Sequence, residues 1–449
     1  MSTVTHRSVP RMHLARGERA DVRDSCFLRT LPGLAEGRVV GRGVNEWMRV
    51  FGLFQTGYVC HSHRKKLSKN QLQEKQPVFD YKDGCVYRIP ALCYNRNSQT
   101  LLAFAEKRKT LTDSDAEKLV VKTGKLKEDD PNEIQWSALK EVGNALLPGH
   151  RTMNPCPVYE EKENTLYLFF ICVENGSEEM CQINSGCNKA RLCYITTTDD
   201  GENWSALTDL TPKLHEIRGW ATFAVGPGHG LQTQSGRLIV PVHAYPNKPG
   251  SCAFTSYALA LYADHPDTEW QFCNMLETES GECQMAELLD DKGNPVVYCN
   301  ARSTKGHRVE AVSQNEGVDF AKQTGSKESE KLVETASGCQ GSVVSFPAQS
   351  EDADTKDEHN SNKTWLLFTH PTDVGKRVNL GVYLNKSPQD PKKWSEPWII
   401  NSGTSGYSDL AYIGKGWFVC LMERGEGKEL NQISSVMFSY SQVEEGIGQ

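Results

Sequence analysis

No stretch of this 449-residue sequence approaches the roughly 18 consecutive apolar residues that a membrane-spanning helix needs. Met1 to Arg23 holds no apolar signal-peptide core; it reads polar and arginine-rich, while Glu18, Asp21 and Asp24 argue against a transit peptide. Positive charge is not in excess either: the formal net charge is -7, the opposite of the basic surface that general nucleic-acid binding requires. The 15 cysteines lack the paired C-x-x-C spacing of a zinc site. They stand singly in apolar stretches such as Leu92-Cys93-Tyr94 and Val419-Cys420-Leu421, the pattern of buried reduced thiols. These absences lead us to expect a cytoplasmic or peripheral membrane protein.

What is present describes an ordinary folded globule, with 24% charged and 38% hydrophobic residues and a mean hydropathy of -0.54. Residues 1–76 show no clear periodicity and include the basic run His61-Ser62-His63-Arg64-Lys65-Lys66, so a weakly ordered N-terminal extension is expected there. From residue 77 to 449 the texture changes to short apolar and β-branched runs separated by turns. The expected strands are Thr100 to Ala105, Thr165 to Cys172, Arg237 to Val242, Pro295 to Cys299, Ser342 to Phe346, Trp365 to Thr369 and Gly416 to Met422. One helix is expected, around Ser329 to Thr335, and residues 349–364 read as a polar surface loop.

A turn motif repeats. Thr197-Thr198-Asp199-Asp200-Gly201-Glu202-Asn203-Trp204 has the form of an Asp box, Ser313 to Phe320 is a looser copy, and Tyr262 to Trp270 is a third with an insertion. In such a box Asp accepts hydrogen bonds from the turn backbone, Gly supplies positive φ, and the aromatic residue staples the turn to its neighbour. Repeats spaced by roughly 50 to 65 residues in an all-β chain point to the blades of a propeller.

Tyr87-Arg88-Ile89-Pro90, Ala103-Phe104-Ala105-Glu106-Lys107-Arg108, His150-Arg151-Thr152-Met153-Asn154-Pro155-Cys156-Pro157, Asn300-Ala301-Arg302, Gly338-Cys339-Gln340-Gly341-Ser342 and Tyr407-Ser408-Asp409-Leu410 occur in order. With the Asp boxes, they resemble the exo-α-sialidase (neuraminidase) family of animals. The resemblance runs from about residue 77 to the C-terminus and implies a six-bladed β-propeller that works without metal or other cofactor.

It also implies roles. Arg88, Arg302 and Arg377 match three arginines that clamp the sialic acid carboxylate, a task suited to a planar, permanently charged guanidinium. Glu423 matches the acidic partner of the first arginine. Tyr407 matches the nucleophile and Glu282 the base that deprotonates it. A neutral phenol suits an anomeric carbon that carries a carboxylate, because it avoids the like-charge approach of Asp or Glu. Asp113 falls on the position of the general acid/base, with Asp115 as a rival in the same loop. Arg108 and Asn154 match contacts around the C4 hydroxyl and N-acetyl side, Glu106 stands behind them, and Gln340 and Tyr245 match further sugar contacts. His243 is a departure, standing where the family commonly has the first tyrosine of a Tyr-x-Tyr pair. Gly226-Pro227-Gly228-His229-Gly230 is not a nucleotide loop, since it lacks the spacing and the following basic residue of one.

The expected activity is that of a retaining exo-α-sialidase on gangliosides, oligosaccharides or glycoproteins. Phe104 to Arg108 and Leu147 to Arg151 look most like the ganglioside-preferring, membrane-associated branch, which implies sialylated glycolipid substrates and peripheral membrane contact. The alternative is a non-catalytic sialoglycan-binding propeller. Such a protein has use for the arginines but not for Asp113, Glu282 and Tyr407 together.

Overall fold

The structure is a computed structural model that describes residues 74–448 except 83, 128–132, 248–254, 266–267, 291, 323–330, 350–362 and 428–429. Most of the expected N-terminal extension and of the polar loop 349–364 therefore lies outside the described residues. All described residues belong to one compact unit, Lys65–Gln449.

The fold is all-β and propeller-like. Consecutive strands pair antiparallel as meanders, so each sheet is built from hairpins with sequence-local contacts. One sheet holds Val86–Asn95, Thr100–Arg108, Ala116–Leu126 and Ile134–Trp136, with Lys140–Glu141 beside it. A second holds His150–Glu160, Thr165–Glu174, Ala190–Thr197 and Thr208–Asp209. A third contains Trp220–Val225, Leu238–Pro246, Tyr257–Ala263 and Gln271–Phe272, with Leu231–Gln232 alongside. The fourth is Cys283–Leu289, Pro295–Ala301, Val309–Ser313 and Ala321–Lys322. The last has seven strands: Ser342–Pro347, Thr364–Pro371, Val378–Asn385, Trp398–Gly414, Trp417–Arg424, Gln432–Ser439 and, closing the ring from the other end of the chain, Gln76–Asp80.

The described strands form five hydrogen-bonded sheets, the seven-stranded one joining two sets of strands. The reason is the 17-residue strand Trp398–Gly414. Its first half pairs with Val378–Asn385 and its second with Trp417–Arg424, so two sets of strands fuse through it.

Inner and middle strands are covered on both faces by neighbouring sheets, which is why they read as apolar runs rather than alternations. Thr165–Glu174, TLYLFFICVE, is buried from Leu166 to Val173. All seven expected strands are present, each running one to four residues past an expected end, with two of them starting one residue later than expected, at Leu238 and Trp417.

The helix expected around Ser329 to Thr335 is absent among its described residues. Val333 instead forms an isolated bridge with His307, and the Glu334 carboxylate accepts the Thr335 N–H and, beyond the expected helix, the Cys339 N–H. Helices occur at Glu179–Ser185 and at Tyr440–Ile447, the latter started by a Ser439/Gln442 capping box. Among the described residues no helix is long and apolar enough to cross a membrane.

Two Asp boxes close as expected. Asp199 accepts from Asn203 N (2.9 Å) and Thr197 Oγ1 (2.8 Å), Gly201 takes φ +82°, and Trp204 packs edge-on against Phe104. In the looser copy Asn315 plays the Asp part, accepting from Asp319 N at 2.9 Å. The third differs: Asp264 turns to Arg237 Nε at 2.8 Å, while Trp270 packs on Phe169.

Candidate active site

A cavity of about 550 Å³ opens at one end of the innermost strands. It is built where those strands break their ladder. Register shifts between Arg88 and Ala91, Met153 and Cys156, and Ser405 and Ser408 mark bulges, and Ile89 (φ 60°) and Asn154 (φ 58°) occupy the left-handed region. Bulges turn side chains out of the sheet's alternation, and positive φ in a β-branched isoleucine is costly enough to need holding in place. The Glu423 carboxylate does the holding. Fully buried, it accepts from Ile89 N (2.9 Å), Tyr407 N (3.0 Å) and Arg88 Nε (2.6 Å), strapping two bulges together and orienting the first arginine.

Tyr407 stands at the centre of the floor. Its hydroxyl donates to Glu282 Oε1 at 2.5 Å, and Arg302 Nη1 lies 3.1 Å from the same hydroxyl and 2.7 Å from Glu282 Oε2. Arg302 and Glu282 face each other because they end adjacent strands, with Arg302 N donating to the Glu282 carbonyl at 2.8 Å. The guanidinium carbons of Arg88 and Arg377 sit 5.7 and 5.4 Å from the Tyr407 ring centroid. All three arginines therefore surround one phenol. Arg88 and Arg302 each hold a carboxylate, whereas Arg377 is held by the Gly338 carbonyl at 2.7 Å. Burial on its own would raise Glu282, but the Arg302 charge, with the hydrogen bonds from Tyr407 and Arg302, sets it below the usual carboxylate value. Burial and the Glu282 charge push Tyr407 well above the usual phenol value, so it rests protonated.

Opposite lies an acidic loop. Asp113 begins a short 3-10 turn, is 67% exposed, and accepts from Arg108 Nη1 at 2.5 Å. Asp115 does not line the cavity; its Oδ2 accepts the Thr110 hydroxyl. Arg108 is fully buried and also donates to Glu106 Oε2 at 2.8 Å, while Glu106 Oε1 accepts Asn154 N at 2.7 Å. Glu106 thus fixes Arg108 and the Asn154 bulge at once. Tyr245 and His243 line the far wall. Burial, with Arg302 nearby, lowers His243 to about 4 and keeps it neutral, and its Nδ1 has no hydrogen-bond partner.

Gln340, expected among the sugar contacts, lies beneath the floor. Its amide pairs with the Ser408 backbone, donating to O at 2.9 Å and accepting from N at 3.0 Å, so it supports the strand next to Tyr407. Among the lining residues that sequence reasoning missed are two charged ones, Arg151 and Glu179. Arg151 donates to the Glu174 and Ser177 carbonyls and anchors the wall segment that follows. Glu179, exposed on that segment, lines the cavity as well. The adjacent acids Glu178-Glu179, directly after the Asn175-Gly176 turn, were the available signal.

A tyrosine hydrogen-bonded to a glutamate, ringed by three arginines in a propeller-like fold, defines a class of glycosidase that recognises a carboxylated sugar. Comparison with known proteins agrees. Residues 99–433 match the BNR repeat-like domain. The chain is 42% identical over 392 residues to sialidase-3 of Mus musculus, covering 80% of this chain and 92% of that protein. It is 43% identical over 379 residues to sialidase-2 of Cricetulus griseus, covering 82% and 96%. In fold it is similar to a Hadza microbial sialidase, with a TM-score of 0.62 at 19% identity over 80% of this chain and 66% of that one. The chain belongs to the animal sialidase family of glycoside hydrolases.

Proposed function

We propose that the chain is a retaining exo-α-sialidase that releases terminal α-linked sialic acid through a tyrosyl intermediate. The observation that carries this reading is the 2.5 Å contact between Tyr407 and Glu282 inside the ring of Arg88, Arg302 and Arg377. The arginines take the sugar carboxylate. The Tyr407 oxygen attacks the anomeric carbon as its proton passes to Glu282, while Asp113 protonates the glycosidic oxygen and the aglycone departs. Asp113, now a carboxylate, removes a proton from water; the water oxygen attacks the same carbon, the bond to Tyr407 breaks, and Glu282 returns the proton to the phenolate. Two inversions give retention. Arg108 and Asn154 face the C4 hydroxyl and N-acetyl side, and Tyr245 completes the wall.

Gangliosides are the substrates we favour, with peripheral membrane contact. The likeness of Phe104 to Arg108 and Leu147 to Arg151 to the ganglioside-preferring branch supports this choice. Purified protein is expected to release the fluorophore from a sialic acid glycoside, and Tyr407→Phe to lose at least about 100-fold in kcat, as removal of a covalent nucleophile does. Near-normal turnover in that variant would overturn the mechanism. Binding of sialyllactose without turnover by the unaltered protein would favour the sialoglycan-binding reading.

A further inference from the structure

Behind the arginines, and outside the cavity lining, lies a fully buried ion pair that the proposed chemistry does not use: Arg308 Nη1 and Glu334 Oε2, 2.7 Å apart with both side chains 0% exposed. Buried pairs of this kind are weak evidence for stability, because desolvation offsets much of their attraction.

Glu334 is bonded chiefly to backbone. Oε1 accepts from Thr335 N and Cys339 N, both at 2.9 Å, and Oε2 accepts from Ser303 N at 3.3 Å. Arg308 closes the other side, donating to the Cys339 carbonyl at 2.6 Å and to Asn300 Oδ1 at 2.7 Å. Together they clamp both ends of the segment Thr335 to Cys339 and the residue that follows Arg302. That segment meets two of the three cavity arginines: the Ser337 carbonyl accepts Arg302 Nη2 at 2.6 Å, and the Gly338 carbonyl accepts Arg377 Nη2 at 2.7 Å. Gly338 takes φ +75°, and a Cβ there would lie 2.4 Å from Arg302 Nε, so the backbone itself packs against the guanidinium.

We propose that Glu334, with Arg308, is a positioning residue that sets the aim of Arg302 and Arg377 at the substrate carboxylate through the Thr335–Cys339 segment. The charge count fits a fixed device. Burial would raise Glu334, but Arg308, with His370 whose Nε2 lies 2.9 Å away, holds it far below the usual carboxylate range. The inference rests on the reading of the three arginines as carboxylate ligands.

The test is inhibition of the full chain by N-acetylneuraminic acid and by its methyl ester, with steady-state kinetics on a fluorogenic sialoside. Glu334→Gln is expected to raise KM by about tenfold with kcat changed less than about threefold, since the lost interaction serves binding. The preference for acid over ester should fall by a similar factor. A purely structural role would lower the unfolding temperature and leave that preference intact in the folded fraction. Should Glu334→Gln fail to fold, Arg308→Lys carries the same comparison, keeping a cation beside Glu334 but losing the bond to Cys339. A folded variant that retains the unaltered protein's acid-over-ester preference overturns the inference. If the unaltered protein itself shows no preference, the clamp reading falls, and this inference with it.

Discussion

Tyr407, Glu282 and Arg302 form a closed triangle of hydrogen bonds, and its electrostatics allocate the proton. Arg302 favours the ionised glutamate, while burial favours the neutral phenol, so in the mechanism we propose transfer from Tyr407 to Glu282 awaits attack on the sugar. A group whose folded pKa is depressed contributes stability above its unfolded value, near 4.5 for Glu282, and loses it as pH falls through the folded value. Urea unfolding should therefore show the unaltered protein more stable than Glu282→Gln at neutral pH, with the gap closing only below pH 4.5. A gap independent of pH would show that the carboxylate is not held ionised by Arg302. The same variant is expected to lose about 100-fold or more in kcat/KM, the usual worth of a general base. The residues of this triangle stand in short local motifs, which made them readable from sequence. Glu334 and Gln340 did not disclose their work in that way, because their partners are backbone groups brought near only by folding.

At the scale of elements, strands and turns divide the labour. Bulges near Ile89, Asn154 and Tyr407 aim side chains into the cavity, whereas Asp boxes tie hairpins elsewhere. Loss of the Asp199 carboxylate, which accepts from Asn203 and Thr197, should lower stability and spare the chemistry. For Asp199→Ala we expect about 1 kcal/mol in urea unfolding, in the range of a net hydrogen bond, with KM and kcat unchanged. A change in KM would place this turn in contact with the site. Strands were legible because two-sided burial writes apolar runs, and the turn boxes because Gly and Asp are needed at fixed offsets. The described part of the helix expected at Ser329 to Thr335 is irregular instead, with Val333 bridged to His307 and the Thr335 amide taken by the Glu334 carboxylate, contacts no window of sequence contains. Bulges were equally hidden, since they depend on where the partner strand stops.

The whole molecule is held at two places, a seam and a hub. The seam is the pairing of Gln76–Asp80 with Gln432–Ser439, which joins the two ends of the described chain in one sheet. The hub is Asp409, fully buried two residues beyond Tyr407. Its carboxylate accepts from Leu92 N (2.7 Å), His229 N (3.0 Å), His229 Nδ1 (2.7 Å), Gln284 Nε2 (2.9 Å) and Ser342 Oγ (2.8 Å). These donors come from well-separated parts of the ring, so one side chain couples the seven-stranded sheet to others around the axis. Burial would lower His229, but Asp409 raises it, which makes the contact a charge-assisted pair between a fully buried carboxylate and a partly exposed ring. Removing one member of a buried pair leaves the other uncompensated, at a cost of about 3–5 kcal/mol. Asp409→Asn keeps the shape, removes the charge and turns an acceptor oxygen into a donor facing other donors. It should lower the unfolding free energy by that amount, read as a lower urea midpoint in a single cooperative transition, and weaken catalysis by loosening the strand that carries Tyr407. Unfolding in two steps, with the sialidase site intact after the first, would show instead that the sheets do not depend on the hub for their common stability.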